Sequence, residues 1–277
     1  MSCHAPLDGW RSRERNENGK LPMVFTPSQA EDSLESIPLP CGKCLGCRAD
    51  QSRDWGIRCY HESMMTDHSC FITLTYADEN LPSDGRINPR EIKRFNDNLR
   101  YRIGHSPRFF ACGEYGDVTR RPHYHYLCFG EHFKGADIVL SSRGDYTSPL
   151  LVDAWEKGQV HVTHVTQEAC MYVAGYTQKK VGDPDTFSTK SVRPPLGYSF
   201  AESYLDDLRR LGKVRIGNRE WPIPKVYFQW FPEELQEVKE KHLEEVRSKS
   251  SYFEDMQSTR AKARNANSPL KATKGKI

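Results

Sequence analysis

The sequence predicts an α+β fold in which a central antiparallel sheet of the split βαβ type carries helices on one face. The first observation behind this prediction is the order of segments between residues 70 and 180, which is strand, helix, strand, strand, helix, strand, helix. The second is the short connection between the strands predicted over 108–115 and 123–129, which is typical of an antiparallel hairpin.

Each element of this domain follows from its hydrophobic pattern. The run 70–76 is rich in β-branched and aromatic residues and places Ile72 and Leu74 on one face, which predicts a strand. Asn88 and Pro89 begin a helix whose apolar side chains recur every three or four residues and form one buried stripe, namely Ile92, Phe95, Leu99 and Ile103. Further predicted elements are a helix over 148–157, a strand over 159–165 and a helix over 167–180.

The α+β domain is assigned to residues 67–182, and residues 1–66 form a separate N-terminal region. This region begins as a polar arm with little periodicity up to about residue 40. A cysteine cluster follows, and then a helix from Arg48 to about Met65.

Two regions follow the domain. Residues 183–232 are predicted to be an extension packed on the core, with a helix near 199–211 and an aromatic, strand-like stretch over 221–231. Residues 233–277 are predicted to be a charged helix and then a disordered basic tail, because positions from 257 onward carry six basic and no acidic side chains.

Composition excludes some classes of protein. The mean hydropathy is −0.74 and no apolar run is long enough to span a bilayer, so an integral membrane protein is excluded and we expect no membrane partner. The opening residues show no basic segment followed by an apolar stretch, so we expect no secretory signal. Nine cysteines, an odd number, suit a closed disulfide framework poorly, and we expect a reducing, cytoplasmic compartment.

Two histidines on one predicted strand are candidate metal ligands. His123 and His125 are two residues apart, so a strand points both imidazoles to the same face and Tyr124 to the other. Glu114, on the neighbouring strand, can present a carboxylate to the same point. Two imidazoles and one carboxylate leave open positions on a divalent ion, which then acts as a Lewis acid on a phosphate oxygen. A hydrogen-bonded surface pair without metal is the alternative.

Two tyrosines on the last predicted helix of the domain are candidate nucleophiles. Tyr172 and Tyr176 are i and i+4 neighbours, with Lys179 and Lys180 one turn further on. A phenol has a pKa of about 10 and is a poor nucleophile at neutral pH, so catalysis needs a nearby cation or a polarised electrophile. Two half-buried packing residues are the alternative.

Three motifs in order resemble those of the HUH rolling-circle replication endonucleases: Phe71-Ile72-Thr73-Leu74-Thr75-Tyr76, then Arg121-Pro122-His123-Tyr124-His125, then Tyr172-Val173-Ala174-Gly175-Tyr176-Thr177-Gln178-Lys179-Lys180. The runs Pro40-Cys41-Gly42-Lys43-Cys44-Leu45-Gly46-Cys47-Arg48 and Cys112-Gly113-Glu114-Tyr115-Gly116 resemble the replication initiators of gokushovirus-type microviruses, the Microviridae. The resemblance extends from Cys3 to about Tyr227 and implies the HUH endonuclease fold for residues 67–182.

The resemblance also implies a reaction. His123, His125 and Glu114 would hold a divalent cation, Mg²⁺ or Mn²⁺, at the scissile phosphate of single-stranded DNA. Tyr172 or Tyr176 would attack that phosphate and form a 5′-phosphotyrosine link, which later allows rejoining without ATP. Lys179 would assist near the phosphate, and the first motif, ending in Tyr76, would form a strand under the site.

The basic residues point to DNA contacts despite a net charge of only +3. Seven basic and two acidic side chains lie between residues 86 and 108, on the polar face of the helix that buries Ile92, and a groove of this sign suits non-duplex DNA. The residues expected to contact DNA are Arg94, Arg100, Arg120, Arg121 and Lys180.

The cysteine cluster favours a structural zinc site. The spacing of Cys41, Cys44 and Cys47 could begin an iron–sulfur run, but the position expected for the fourth cysteine holds Gln51. Zinc fits better, with Cys3 favoured as fourth ligand because it would anchor the arm. The other candidates for that ligand are His4, Cys59 and His61, and three reduced thiols without metal are the alternative.

Taken together, these features predict an enzyme that nicks and joins single-stranded DNA at a replication origin in the host bacterial cytoplasm. A host helicase and polymerase are expected partners, since no Gly-rich phosphate loop ending in Gly-Lys-Ser/Thr is present. The alternatives are a plasmid mobilisation relaxase with the same chemistry and a non-catalytic, zinc-stabilised nucleic-acid-binding protein.

Overall fold

A computed structural model describes residues 3–34, 36–116, 118–133, 139–140, 145–179 and 186–249, with the side chains of 139–140, 176–179, 243 and 246–249 left outside that description. The chain divides into two compact units, Met1–Gln51 with Glu240–Ile277, and Ser52–Lys239. The predicted basic tail, from residue 257, lies outside the described residues.

The first unit contains a three-stranded antiparallel sheet. Its strands are β1 (Leu7–Arg11), β2 (Met23–Val24) and β3 (Ile37–Leu39), in the order β2-β1-β3. The prediction of an irregular arm is therefore wrong for these segments. Strands of two to five residues are too short to give a recognisable alternation of apolar and polar side chains.

The second unit is built on a seven-stranded sheet in which every paired neighbour is antiparallel. The strand order is β10-β5-β6-β4-β9-β8-β7. The strands are β4 (Ser69–Tyr76), β5 (Arg108–Tyr115), β6 (Pro122–Phe129), β7 (Val139–Leu140), β8 (Tyr146–Thr147), β9 (Gly158–His164) and β10 (Phe187–Lys190).

The described helices are α1 (Leu45–Met64), α2 (Pro89–Ile103), α3 (Pro149–Trp155), α4 (Gln167–Lys179), α5 (Tyr198–Ser203), α6 (Leu205–Leu211), α7 (Tyr227–Trp230) and α8 (Gln236–Lys249). A small hairpin, β11 (Val214–Ile216) and β12 (Arg219–Trp221), follows α6. No helix in the described ranges is long and apolar enough to cross a membrane.

The elements predicted between residues 70 and 180 are confirmed, with α2 as the clearest case. The Asn88 side chain accepts a hydrogen bond from the Arg90 N–H and caps the helix, and Pro89 occupies its first turn. Ile92, Phe95 and Leu99 are fully buried, as the predicted stripe requires, and Ile103 packs against the same core as a partly buried side chain.

The sheet carries helices on both faces, so the prediction of helices on one face is wrong. One face of β6 packs Tyr124 and Tyr126 with the apolar side chains of α2 and α3. The opposite face packs Leu127 with Cys59 of α1 and Val173 of α4. The reason is that β5 and β6 are apolar on both faces, and a sheet buried on both sides needs cover on both sides.

Two predictions in the extension also need correction. The stretch 221–231 is not a strand beyond Trp221, because α7 occupies Tyr227–Trp230. Its aromatic residues favour a strand locally, but they are used here to build a second core with α5 and α6. The helix predicted over 199–211 is two short helices that meet at Tyr204, which has a non-helical φ of −112°.

Candidate active site

Strand pairing brings the three predicted ligands together on one face of the sheet. In the register of β5 with β6, Glu114 lies opposite His123 and Cys112 lies opposite His125. Directly opposed residues point to the same side of a sheet, so the carboxylate and both imidazoles face the side that α4 covers. Tyr124 is buried on the other side with α2, as the alternation predicts.

Glu114 is the meeting point of the two histidines. Its Oε1 atom lies 2.9 Å from His123 Nε2 and 2.9 Å from His125 Nε2. One ligand atom from each of the three residues falls within 4.8 Å of the others. Glu114 and His125 are buried, and His123 is partly exposed. Such a cluster has one open side, which a substrate could approach past His123.

The outer nitrogen of each imidazole is held by a second partner. His123 Nδ1 lies 3.2 Å from the Arg121 carbonyl oxygen, and His125 Nδ1 lies 3.2 Å from Thr73 Oγ1. A carbonyl only accepts, so His123 carries its proton on Nδ1 and a neutral ring presents a lone pair at Nε2. Partners of this kind fix the ring orientation of metal-binding histidines.

Thr73 is a site residue that the sequence reasoning missed. It lies in the first motif, on β4, directly opposite His125 in the β4–β6 register. The signal was the alternation within that motif, which points Thr73 to the histidine side and Tyr76 to the other core. Tyr76 accordingly lies on the far side of the sheet, where its hydroxyl is 3.1 Å from that of Tyr124.

The electrostatics of the cluster suit a cation. Burial raises the pKa of Glu114, but the hydrogen bonds with His123 and His125 outweigh it and lower that pKa below its ordinary value. Burial lowers the pKa of His125 by more than the contact with Glu114 raises it. Near neutral pH the carboxylate is therefore ionised and the His125 ring is neutral, which are the protonation states that bind metals.

One atom of the cluster indicates that a group is needed between the ligands. Glu114 Oε2 is buried and has no hydrogen-bond partner among the described residues. An unsatisfied buried carboxylate oxygen is costly, and a bound cation would satisfy it. The donor set of two imidazoles and one carboxylate, with its open side, fits a divalent metal ion that keeps positions for substrate.

Helix α4 places Tyr172 at the edge of this cluster. Cys170 and Val173 are buried against the sheet, and Cys112 Sγ lies 3.9 Å from the Val173 carbonyl oxygen. Tyr172, next to Val173, is 44% exposed, and its ring centroid lies 5.9 Å from that of His125. The side chains of Tyr176 and Lys179, and all of Lys180, lie outside the described part of the structure.

The predicted DNA-binding arginines lie in two places. Arg120 and Arg121 belong to the β5–β6 hairpin next to His123; the Arg120 guanidinium stacks 4.8 Å from the Tyr115 ring centroid. Arg121 Nη1 lies 2.6 Å from Asp78 Oδ1, and its Nη2 donates to the Tyr76 carbonyl.

Arg94 and Arg100 lie on α2, which packs on the opposite face of the sheet from the histidines. Both are exposed and pair with acidic side chains one turn earlier on that helix. DNA binding by these two residues stays a prediction and concerns a surface other than the one around His123.

A second group of possible ligands lies in the first unit. The sulfur atoms of four cysteines come within 4.8 Å of one another: Cys3, Cys41, Cys44 and Cys47. The other residues considered for the fourth position lie elsewhere. Cys59 is buried in the core under α4, and His61 Nδ1 lies 2.9 Å from the Tyr227 hydroxyl.

Comparisons with known proteins agree with this layout. Residues 69–181 match a family model of phage replication proteins, described as replication-associated protein ORF2. These residues include all three ligands and Tyr172. No solved structure matches the chain significantly.

Three curated relatives carry similar names. The replication-associated protein VP4 of Bdellovibrio phage phiMH2K is 32% identical over 308 aligned positions, covering 100% of this chain and 95% of the relative. The replication-associated protein ORF2 of Spiroplasma virus 4 is 37% identical over 159 positions, covering 53% of this chain and 50% of the relative. The replication-associated protein ORF4 of Chlamydia phage 1 is 29% identical over 212 positions, covering 69% and 53%. The chain therefore belongs to the family of replication-associated proteins of the Microviridae and related phages.

Proposed function

We propose that the chain cuts and rejoins single-stranded DNA at a phage replication origin, through a 5′-phosphotyrosine link, and so starts and ends rolling-circle replication. The observation that carries the proposal is the convergence of Glu114, His123 and His125 beside Tyr172. Membership of a phage replication-associated family supports the biological setting.

The three ligands are arranged for a divalent cation, Mg²⁺ or Mn²⁺, which when bound would neutralise charge on the scissile phosphate. Imidazole ligands favour Mn²⁺ over Mg²⁺ in this set. The protein's part is to hold both Nε2 atoms toward Glu114, through the contacts of Thr73 and the Arg121 carbonyl with the outer nitrogens. The carboxylate supplies the one formal negative charge of the donor set, so a dication bound there keeps a net positive charge for the phosphate.

Tyr172 is assigned as the nucleophile because its half-exposed ring lies beside His125. Its phenolic oxygen bonds to phosphorus as the bond from phosphorus to the 3′ oxygen of the preceding nucleotide breaks. The phenol loses its proton to solvent, and the departing 3′ oxygen takes one up. The products are a 5′-phosphotyrosine and a 3′-hydroxyl that primes synthesis, and the reverse attack by a 3′-hydroxyl rejoins the ends.

Tyr176 and Lys179 follow on the same helix, α4. We assign Tyr176 as the second nucleophile, which cuts the regenerated origin after one round while Tyr172 still holds a 5′ end. Lys179 is assigned as a cation near the phosphate. The resemblance to HUH endonucleases supports both roles.

Single-stranded DNA is the proposed partner at this face. Arg120, Arg121 and Lys180 are the basic residues closest in sequence to the histidine pair and to α4. A host helicase and polymerase would supply unwinding and synthesis in the host bacterial cytoplasm, since the chain carries no ATP-binding phosphate loop.

The test is a covalent adduct assay. Single-stranded oligonucleotides that tile the origin region of the encoding genome, labelled at the 3′ end, are incubated with the protein and Mn²⁺ or Mg²⁺. We expect a labelled protein band on a denaturing gel that requires the cation. It should fall at least about 100-fold in Tyr172→Phe and Glu114→Gln, because each substitution removes an interaction made with the reacting phosphate.

Matched controls separate chemistry from folding. Tyr204→Phe changes a tyrosine of nearly the same exposure, 43%, far along the chain from the site, and should leave the adduct unchanged. His164→Ala removes an exposed histidine of β9 that is not a ligand, whereas His123→Ala removes one that is. DNA binding without any adduct, in every variant and with either cation, would establish the non-catalytic binder instead.

A further inference from the structure

The N-terminal unit contains a cluster of thiols that the DNA chemistry does not use. Cys3 precedes β1, Cys41 and Cys44 follow β3, and Cys47 lies in the first turn of α1. All four are reduced, and Cys3 and Cys47 are buried. Four thiols from three separate segments therefore meet at one point.

The spacing of the sulfur atoms matches a single tetrahedral ion. Four sulfur ligands about 2.3 Å from a zinc ion, at tetrahedral corners, lie about 3.8 Å from one another. Cys3 Sγ and Cys44 Sγ lie 3.8 Å apart, and all four sulfur atoms fall within 4.8 Å. A four-iron cluster stands between its thiolates and holds the sulfur atoms farther apart than this.

Backbone amides support the ionised form of these thiols. The His4 N–H donates to Cys44 Sγ at 3.2 Å, and the Cys41 N–H donates to Cys3 Sγ at 3.3 Å. The Cys44 N–H donates to Cys41 Sγ at 3.4 Å. Amide donors aimed at sulfur stabilise thiolates, and thiolates this close together repel one another unless a cation lies between them.

The surrounding segment has little else to hold it together. Among the described residues before Ser52, the buried apolar side chains are Cys3, Ala30 and Cys47, and none belongs to the hydrophobic core clusters. A segment of this size with almost no core needs a metal, a disulfide or a partner to fold stably.

We infer that Cys3, Cys41, Cys44 and Cys47 bind one zinc ion as a structural tetrathiolate site, which fastens the β1–β3 sheet to the first turn of α1. With four protein ligands and no open position, the site is structural rather than catalytic. It is independent of the DNA chemistry and holds whether or not the chain cleaves DNA.

The test uses the full chain, purified without chelator. Metal analysis should give one zinc per chain more in wild type than in Cys44→Ser. The control Cys70→Ala changes a buried thiol of the central sheet and should keep the zinc. Cys41→His, which preserves a ligand, should also keep it, and this variant guards against a loss caused by misfolding alone.

A second measurement needs no variant. A mercurial thiol reagent added to native wild type should release one zinc per chain, detected with a metallochromic dye. Replacement by Co²⁺ should give the intense near-ultraviolet charge-transfer band of cobalt–thiolate bonds, which histidine and carboxylate ligands cannot produce. Zinc content unchanged in Cys44→Ser, no thiol-dependent release, or iron with acid-labile sulfide in place of zinc would each overturn the inference.

Discussion

Acid should destabilise the second unit through one buried histidine. His61, on α1, is 1% exposed, its ring stacks on Phe200 at 3.6 Å between centroids, and its Nδ1 lies 2.9 Å from the Tyr227 hydroxyl. Burial lowers the pKa of His61 from 6.5 to about 3. The folded state therefore excludes a proton that the unfolded state accepts below about pH 6.5.

The sign and size follow from this pKa difference. Because the folded pKa is depressed, stability is highest above the unfolded pKa and falls as pH drops toward the folded one. Each pH unit in that window corresponds to about 1.4 kcal/mol, so lowering the pH from 7 to 5 should remove about 2 kcal/mol through His61 alone.

Urea unfolding of wild type and His61→Gln at both pH values measures this effect. Glutamine does not titrate and keeps a polar side chain near Tyr227. We expect wild type to lose about 2 kcal/mol more than the variant between pH 7 and pH 5. Equal losses in the two proteins would refute the reasoning, because His61 would then contribute nothing to the pH dependence.

Three further predictions concern positions that shape the site. Gly158 has a φ of 151°, and a Cβ there would overlap backbone atoms of β4 and of the residue after it; Gly158→Ala should therefore cost about 3 kcal/mol or more by urea unfolding. Gly130→Ala, with φ of 90° and nothing within 4 Å, is its control and should cost only about 1 kcal/mol. Gly56 of α1 faces the backbone of α4, and a Cβ there would lie 3.2 Å from a Cα atom of α4. Gly56→Ala should slow adduct formation about tenfold with little loss of stability, and an unchanged rate would contradict this close packing. Thr73→Val should raise the Mn²⁺ concentration needed for half-maximal cleavage about 10- to 100-fold, through a loosened His125, with the thermal midpoint nearly unchanged; an unaltered Mn²⁺ requirement would contradict its role.

The candidate ligands were predictable because local period determines them. Two histidines two residues apart share a face of any strand, and this alone placed His123 and His125 together. The hairpin then brought Glu114 within reach, since antiparallel strands joined by a short connection oppose each other near that connection.

Thr73 could not be placed by the same reasoning. Its position opposite His125 depends on the register between β4 and β6, which are separated by α2 and β5 along the chain. A shift of one residue would have turned its side chain to the other face, and nothing local in the sequence fixes that register.

Tertiary packing also decided the errors of fold. The aromatic run before Phe231 has the composition of a strand, yet Tyr227 is fully buried in a helix-built core beside His61. The second layer of helices follows from the burial of both faces of β6, and the alternation of residues along one strand does not reveal it. The arm formed a sheet through pairing between distant short segments, which no local pattern predicts.

The central claim is that Tyr172 carries a DNA 5′ end. The most direct measurement digests the trapped adduct with protease and nuclease and locates the residual nucleotide by fragmentation mass spectrometry. We predict a nucleotide on Tyr172 that appears only with Mn²⁺ or Mg²⁺ and disappears from that position in Tyr172→Phe. Cleaved DNA with no nucleotide on either Tyr172 or Tyr176 would contradict the account.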